Sequence, residues 1–241
     1  MTTTQQPSTD GYGREPMPPG LATIRCVKRL QYPYRNDSPA AVAVLARLRR
    51  SAGRPVHESP DSWGIDGLED LATVRETAPV RRKDVGRDLA EENAVHLAVT
   101  LWALHQQSVH DANMHEFGHG LGRAVRRLAT AKSDPGATAP DGQKAQPNAE
   151  LSETLRKRFV RIGTSTSYES LAVRLREMTV LLRAARIPLD YGLLADQLFQ
   201  WQDESRRAEI RRAWGRDFHF SHRTTRPRSP EAPADTDLSG A

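Results

Sequence analysis

Apolar residues recur at helical spacing along most of the chain. Ser38-Pro39 is typical of a helix start, and it is followed by an apolar stripe of Ala41, Leu45, Leu48 and Ala52. Residues 84–108 carry a broader apolar face, made up of Leu89, Val95, Leu97, Val99, Leu101, Trp102 and Leu104. A face this wide predicts a central, largely buried helix. The segment GLGRAVRRLA predicts another helix, with its inward side formed by Leu121, Val125 and Leu128.

Four more apolar stripes follow in the second half of the chain. The first lies within residues 150–163 and consists of Leu151, Leu155, Phe159 and Ile162. The second follows the N-cap residue Ser167 and consists of Leu171, Leu175, Met178 and Leu182. The third and fourth are marked by Tyr191, Leu194, Leu198 and Trp201, and by Ile210, Trp214 and Phe218. Four helices with short connections predict an antiparallel four-helix bundle.

The sequence predicts an all-α protein with two small helical subdomains, since no run of residues alternates in the manner of a strand. Residues 1–36 show no sustained period and are predicted to form a flexible N-terminal extension. Residues 37–131 form the N-terminal helical subdomain, and residues 132–149 are a linker rich in Pro, Gly and Ala. Residues 150–220 form the C-terminal bundle, and residues 221–241 are a polar, proline-rich tail that is predicted to be disordered.

Composition limits the compartment and the chemistry. Cys26 is the one cysteine, so the chain has no internal disulfide, which fits a reducing compartment. There is no apolar run of the roughly 20 residues that a membrane helix needs, and the first residues do not resemble a signal peptide. These features predict a cytoplasmic protein that does not enter a membrane.

Arginine dominates the positive charge. The chain has 35 basic and 30 acidic residues, a net charge of +5, and only five of the basic residues are lysines. The planar guanidinium suits phosphate contacts and stacking on bases. A GC-rich genome would also encode its basic residues mainly as arginine, and counting does not separate the two explanations.

Basic residues cluster opposite the apolar stripe on three predicted helices. The clusters are Arg47, Arg49 and Arg50, then Arg123, Arg126 and Arg127, then Lys157, Arg158 and Arg161. There is no acidic residue from 117 to 133, and the 156–161 segment also lacks close compensation, so both clusters would gain from contact with phosphates. A solvated helix face is the alternative for any single cluster. Arg206, Arg207, Arg211 and Arg212 illustrate it, because Asp203, Glu204 and Glu209 lie among them.

Residues 115–119 match the H-E-x-x-H pattern of zinc peptidases. On a helix, His115 and His119 would hold zinc while Glu116 activated a water molecule. However, Val125 stands where the longer form of the motif has a third histidine, and three glycines weaken the helix that should present the ligands. A zinc metallopeptidase is therefore an alternative function. The main interpretation includes no catalytic residue, metal site or cofactor.

A series of motifs resembles the CasB family, the small subunit of the type I-E CRISPR Cascade complex. Over residues 41–220 the motifs are LARLRRSAGRP, LWALHQQS, HGLGRAVRRLA, RFVRIGTSTSYESLAVRLREMTVLLR and IPLDYGLLADQLFQWQDESRRAEIRRAWGRDFHF. The resemblance implies an all-α fold of two subdomains without enzymatic activity. It also implies a homodimer within Cascade that contacts the backbone and large subunits.

The same resemblance implies a nucleic-acid-binding role. In the family, a basic surface helps to hold the crRNA–DNA duplex and the displaced single-stranded DNA, and thereby favours the R-loop. The matching positions in this chain are the nine basic residues of the three clusters. A free-standing helical DNA-binding regulator is a further alternative, but it would need a recognition helix that the sequence does not reveal.

Overall fold

Nine helices make up the part of the chain that the computed structural model describes, namely residues 15–52, 56, 66–77, 84–131 and 147–219. In order they are α1 (Pro18–Arg35), α2 (Pro39–Ser51), α3 (Asp66–Thr77), α4 (Val85–Gln106), α5 (Leu121–Ala131), α6 (Pro147–Gly163), α7 (Tyr168–Ala184), α8 (Tyr191–Trp201) and α9 (Glu204–His219). Within these ranges the single β-type pairing is an isolated bridge between His115 and Leu189. The all-α prediction is confirmed.

The helix predicted from the broadest apolar face, α4, is central. Asp84 caps its first turn, since the carboxylate accepts a hydrogen bond from the Arg87 backbone N–H at 3.1 Å. Residues 94–106 are buried without interruption, and the helix contacts α1, α2, α3, α7 and α8. The apolar pattern predicted that Leu89 lies on the inward face of the helix. It is instead 43% exposed, because the first turns of α4 are largely open to solvent.

Helix α1 departs from the sequence prediction. Residues 18–35 belong to the segment predicted to be flexible, yet they form an 18-residue helix that packs against α3, α4 and α8. Its buried apolar side chains are Ala22, Ile24, Cys26, Val27, Leu30 and Tyr34. Pro18 and Pro19 occupy first-turn positions, where a missing N–H costs little, and Pro33 lies only in the last turn. The prolines that suggested a flexible segment are thus compatible with a helix.

A carboxylate from another helix caps the start of α1. Asp196 of α8 is buried, and it accepts hydrogen bonds from the backbone N–H groups of Met17 at 3.0 Å and Gly20 at 2.7 Å. The side chain of Met17, the N-cap residue itself, makes no capping hydrogen bond. A Cβ atom at residue 20 would lie 2.5 Å from the Asp196 carboxylate, so a glycine is needed there. The carboxylate therefore joins residues that are far apart in the sequence.

The four C-terminal helices do not close into a bundle by themselves. Helix α8 packs mainly against α1 and α4, α9 packs mainly against α5, and α7 packs against α4 and α6. Buried residues of both predicted subdomains, such as Leu101 and Leu194, belong to one hydrophobic cluster. The helices of the bundle are confirmed, whereas a self-contained bundle is not, and the two-subdomain division stays a prediction.

Some sequence predictions fall on residues that the structure does not describe. They are the first 14 residues of the predicted extension, most of the linker, and the tail at 221–241. Residues 147–149, assigned to the linker, form the first turn of α6. In the described ranges, none of the helices has the length and apolarity required to cross a lipid bilayer.

Asp196→Ala should destabilise the protein by about 1–3 kcal/mol, because it leaves two N–H groups at the start of α1 without their acceptor. Urea unfolding followed by circular dichroism measures the change. Glu177→Ala, at an exposed position of α7, is the control and should change the free energy of unfolding by less than about 0.5 kcal/mol. Equal effects of the two substitutions would contradict the capping role.

Acid should lower the free energy of unfolding through His105. This residue is fully buried, and its Nδ1 atom forms a hydrogen bond of 2.8 Å with the Tyr191 hydroxyl. Burial lowers the pKa of His105 from 6.5 to about 3. Between these values the unfolded chain binds a proton that the folded chain does not. Stability should therefore fall as the pH drops below 6.5, by up to about 1.4 kcal/mol per pH unit for this group.

Urea unfolding between about pH 7 and pH 4.5 tests this expectation in the wild type and in His105→Gln, whose side chain does not titrate. The variant should lose less stability on acidification than the wild type. The titration of carboxylates changes the stability of both proteins equally. The difference between the two slopes of stability against pH therefore gives the contribution of His105. Identical slopes would refute the prediction.

Candidate nucleic-acid interface

Helix α5 approaches α9 at very short range because Gly122 has no side chain. A Cβ atom at residue 122 would lie 2.1 Å from the Trp214 carbonyl oxygen and 2.6 Å from the Phe218 backbone nitrogen. The predicted inward side of α5 is buried, as shown by Leu121, Val125 and Leu128. This packing leaves the basic residues of α5 outside the core.

Two of the three α5 arginines share a face with His119. Arg123 and Arg127 are one helical turn apart, and an Arg127 Nη1 atom lies 3.2 Å from His119 Nδ1. Partial burial lowers the pKa of His119, and the positive charges of Arg127 and Arg123 lower it further, whereas Glu116 raises it. Neither arginine forms an ion pair with another described residue. Arg123 and Arg127, beside His119, form a positive surface that we call the α5 face.

Arg126, the third arginine of α5, makes a hydrogen bond to α9. Its Nη1 atom donates a hydrogen bond of 2.8 Å to the carbonyl oxygen of His219, at the C-terminal end of α9. A cation at this end of a helix also interacts favourably with the helix dipole. Arg126 thus ties α5 to α9, and it is less available to an external phosphate than its neighbours.

The α6 cluster lies on a helix that packs against α5. Its three residues, Lys157, Arg158 and Arg161, are exposed. Contrary to the sequence interpretation, the cluster has local compensation: the Lys157 ammonium lies 2.8 Å from the Glu153 carboxylate, and this contact lowers the pKa of Glu153. The pair is open to solvent, so its contribution to stability is small.

The α2 cluster is not part of the same helix group. Arg47 and Arg50 are exposed and Arg49 is half-buried, all on the last turns of α2. This helix packs against α1 and α4, whereas α5 packs against α6, α7 and α9. The structure therefore brings the α5 and α6 clusters to neighbouring helices and leaves the α2 cluster on another part of the fold.

The arginines of α9 separate into two kinds. Arg206 lies 3.9 Å from Glu209, and Arg207 lies 3.3 Å from Glu204 while its guanidinium covers the Trp201 ring at 4.4 Å. These contacts agree with the predicted local pairing. Arg211 differs, because it donates to the Ser165 carbonyl oxygen at 3.2 Å and lines a groove.

That groove, of about 330 Å³, runs between α6 and α9. Its lining comprises Arg156, Phe159, Val160, Gly163, Thr164, Arg211, Trp214, Gly215, Phe218 and His219. The sequence interpretation assigned Phe159 and Phe218 to the core and did not single out Arg156. A signal was present, because each helix has an arginine followed three residues later by an aromatic residue.

The H-E-x-x-H segment does not form the helix that a zinc site of this type requires. Residues 111–120 are irregular, and Gly118 has a φ of 75°. His115 is buried, and its Nδ1 atom accepts a hydrogen bond from the Tyr191 backbone N–H at 3.1 Å. His119 lies instead near Glu116 and the α5 arginines. The two imidazoles thus have separate structural partners.

The segment serves as a connection between distant parts of the chain. The His119 carbonyl accepts from the Asp190 N–H at 2.8 Å, and the Asp190 carboxylate accepts from the Gly118 N–H at 2.9 Å. The His115 N–H donates to the Gln31 side chain at 3.1 Å. In the described part of the chain, no three His, Cys, Asp or Glu side chains are grouped as metal ligands.

Known proteins resemble both the sequence and the fold. The family model for CRISPR-associated protein Cse2 matches residues 44–219. A crystal structure of CasB from Thermobifida fusca is 41% identical with a TM-score of 0.67, and the match covers 86% of this chain and all of that chain. No curated protein matches the sequence.

Two more distant structures share the fold. One is a CRISPR-associated protein of the Cse2 family from Thermus thermophilus, with 22% identity, a TM-score of 0.54, and coverage of 84% of this chain and 98% of that chain. The other is a chain of a CRISPR RNA-guided surveillance complex, with 20% identity, a TM-score of 0.55, and coverage of 83% of this chain and 93% of that chain. Because the family model spans most of the chain and the T. fusca protein matches over its whole length, this chain belongs to the Cse2 (CasB) family of CRISPR-associated proteins.

Proposed function

We propose that the chain is a non-catalytic small subunit of a type I-E CRISPR RNA-guided surveillance complex. It acts in the cytoplasm and binds the nucleic-acid backbone, so that the displaced DNA strand and the R-loop are stabilised. Membership of the Cse2 family supports a place in such a complex, as does the fold shared with a chain of a surveillance complex. The backbone and large subunits of the complex are the proposed protein partners, with a second copy of this chain.

One observation carries the nucleic-acid part of the proposal: the α5 face concentrates positive charge without acidic neighbours on its own helix. Arg123 and Arg127 lie close enough to His119 to lower its pKa, and the residues from 117 to 133 include no acid. Mutual repulsion in this surface is relieved when a phosphate approaches, and counterions are released. Arg158 and Arg161 on the neighbouring helix α6 extend the proposed track.

The mechanism requires only modest binding energy. The heteroduplex that forms in an R-loop is about as stable as the DNA duplex that it replaces, so a few protein contacts to the backbone shift the balance. Contacts to phosphates carry no sequence information. A subunit that holds the displaced strand in this way slows its return to the duplex at any target that the guide selects.

The zinc peptidase alternative has little support in the structure. Its two histidines point to different partners, His115 to the Tyr191 backbone and His119 to the α5 arginines. The Glu116 carboxylate is 3.4 Å from His119 Nε2, which makes this acid a neighbour of the imidazole. The motif is better explained as the turn that joins α4 to α5 and binds residues 189–190.

Replacing Arg123 and Arg127 together with alanine should weaken DNA binding and flatten its salt dependence. Each lost phosphate contact removes about 0.7 from the log–log slope for a single strand, so the double variant should lose roughly one to two units. Fluorescence anisotropy with single-stranded DNA at several salt concentrations measures the slope. Arg126 is left intact because it holds α5 to α9.

The matched control is Arg29→Ala with Arg206→Ala. It removes the same charge from an exposed and a half-buried arginine that are already ion-paired, at 2.9 and 3.9 Å. This variant should keep most of the wild-type slope. If both double variants lose the same amount, net charge rather than the α5 face governs binding, and the proposed track is wrong.

Assembly is tested by co-expressing the chain with the other subunits of a type I-E complex and a guide RNA. A tagged chain should co-purify with those subunits and the guide RNA, and the complex with Arg123→Ala/Arg127→Ala should form but yield R-loops that dissociate faster. Permanganate footprinting of the displaced strand measures R-loop lifetime. Failure of the wild-type chain to join the complex would overturn the proposed function.

A further inference from the structure

The groove between α6 and α9 has an apolar, aromatic floor that is open to solvent. The Phe159 and Phe218 rings stack with their centroids 5.1 Å apart and their planes 24° apart. Both side chains are only partly buried, and the neighbouring Val160 is 53% exposed. Apolar surface rimmed by polar groups is typical of ligand-binding grooves.

The rim of the groove is positively charged. Arg156 stands on the α6 side and Arg211 on the α9 side, and none of the lining residues is acidic. The hydrogen bond to the Ser165 carbonyl holds the Arg211 side chain in place. Glu153, one turn before Arg156 and Lys157, is engaged by the Lys157 ammonium. An anionic group is thus favoured at the edge of an apolar surface.

Two glycines keep the groove open. A Cβ atom at Gly163 or at Gly215 would meet no atom within 4 Å, so each position faces empty space. Gly215 lies within α9, where glycine costs roughly 0.5–1 kcal/mol relative to alanine, and Gly163 is the last residue of α6. Close packing therefore does not explain these glycines, in contrast to Gly122, and the space beside them is available to a ligand.

We propose that this groove receives a base of single-stranded nucleic acid, with the adjoining phosphates at Arg156 and Arg211. A volume of about 330 Å³ accommodates a small ligand but is too small for a helix from a partner protein. Every base has an apolar face that stacks on aromatic side chains, whatever its sequence. A duplex cannot place a base in the groove, because its bases are stacked inside the double helix.

The groove ends beside helix α5. His219 forms one end of the groove, and its carbonyl oxygen accepts the hydrogen bond from Arg126 of α5. Helix α5, which also carries Arg123 and Arg127, therefore lies next to this end of the groove. The inference rests on the proposed function, and it adds a contact to the bases that phosphate binding alone does not include.

The test fills the groove without disturbing the core. Gly163→Leu and Gly215→Leu place a side chain in the empty space, and leucine favours a helix more than glycine does, so the thermal midpoint should not fall. Gly86→Leu is the control, since a Cβ atom there meets only an ordinary contact of 3.5 Å with Asp84. Each full-length protein is titrated with a fluorescent oligothymidylate and with an abasic strand of the same length and charge.

The wild type and Gly86→Leu should bind the oligothymidylate about fivefold or more tightly than the abasic strand. Gly163→Leu and Gly215→Leu should bind both strands with the affinity that the wild type has for the abasic one. If the filled variants keep the preference for bases, or if the wild type binds both strands equally, the inference is wrong and the proposed function remains.

Two further outcomes of these experiments would lead to other conclusions. Binding of neither strand by the wild type, alone or within the complex, would refute the proposed function itself. If the filled variants keep normal DNA binding but fail to join the complex, the groove is a protein contact and not a base site. Size-exclusion chromatography of the co-expressed complex detects this outcome.

Discussion

The close approach of α5 and α9 is the contact on which the candidate interface depends. Because Gly122 lies against the backbone of Trp214 and Phe218, the two helices meet without an intervening side chain. Trp214 is then buried, Arg126 reaches the end of α9, and Arg123 and Arg127 remain on the outer side. Any larger residue at 122 would separate the helices and move both the α5 face and the end of the groove.

A second set of contacts joins segments that are far apart in the sequence. The Asp196 carboxylate caps α1, and the Asp190 carboxylate holds both the start of α8 and the Gly118 N–H. These acids are buried, and each satisfies backbone N–H groups that have no partner within their own segment. The H-E-x-x-H turn belongs to this framework, so its histidines serve the fold.

Arginine has at least three uses in this structure. Arg75 binds the carboxylates of Glu91 and Glu92 and fixes α3 to α4. Arg126 donates to the His219 carbonyl oxygen at the end of α9. Arg127 is exposed and Arg123 is half-buried, and neither has an ionic partner among the described residues. Arg123 and Arg127 suit a transient contact with a nucleic acid, because no ion pair with a described residue has to be broken first. The abundance of arginine therefore does not by itself measure the size of a binding surface.

The sequence alone determined the helices that have a regular apolar period, the family, and the positions of the basic clusters. It misjudged α1, because its three prolines and a glycine obscured a helix whose cap comes from Asp196, far along the chain. It also missed Arg156 and Arg211, and it placed Phe159 in the core, since periodicity tells which face of a helix is apolar but not what covers that face. The tertiary structure decided which helices pack together, and thereby which arginines pair internally and which remain exposed. Periodicity and capping are local properties of a chain, whereas ion pairs, close helix approaches and grooves depend on residues that only the fold brings together.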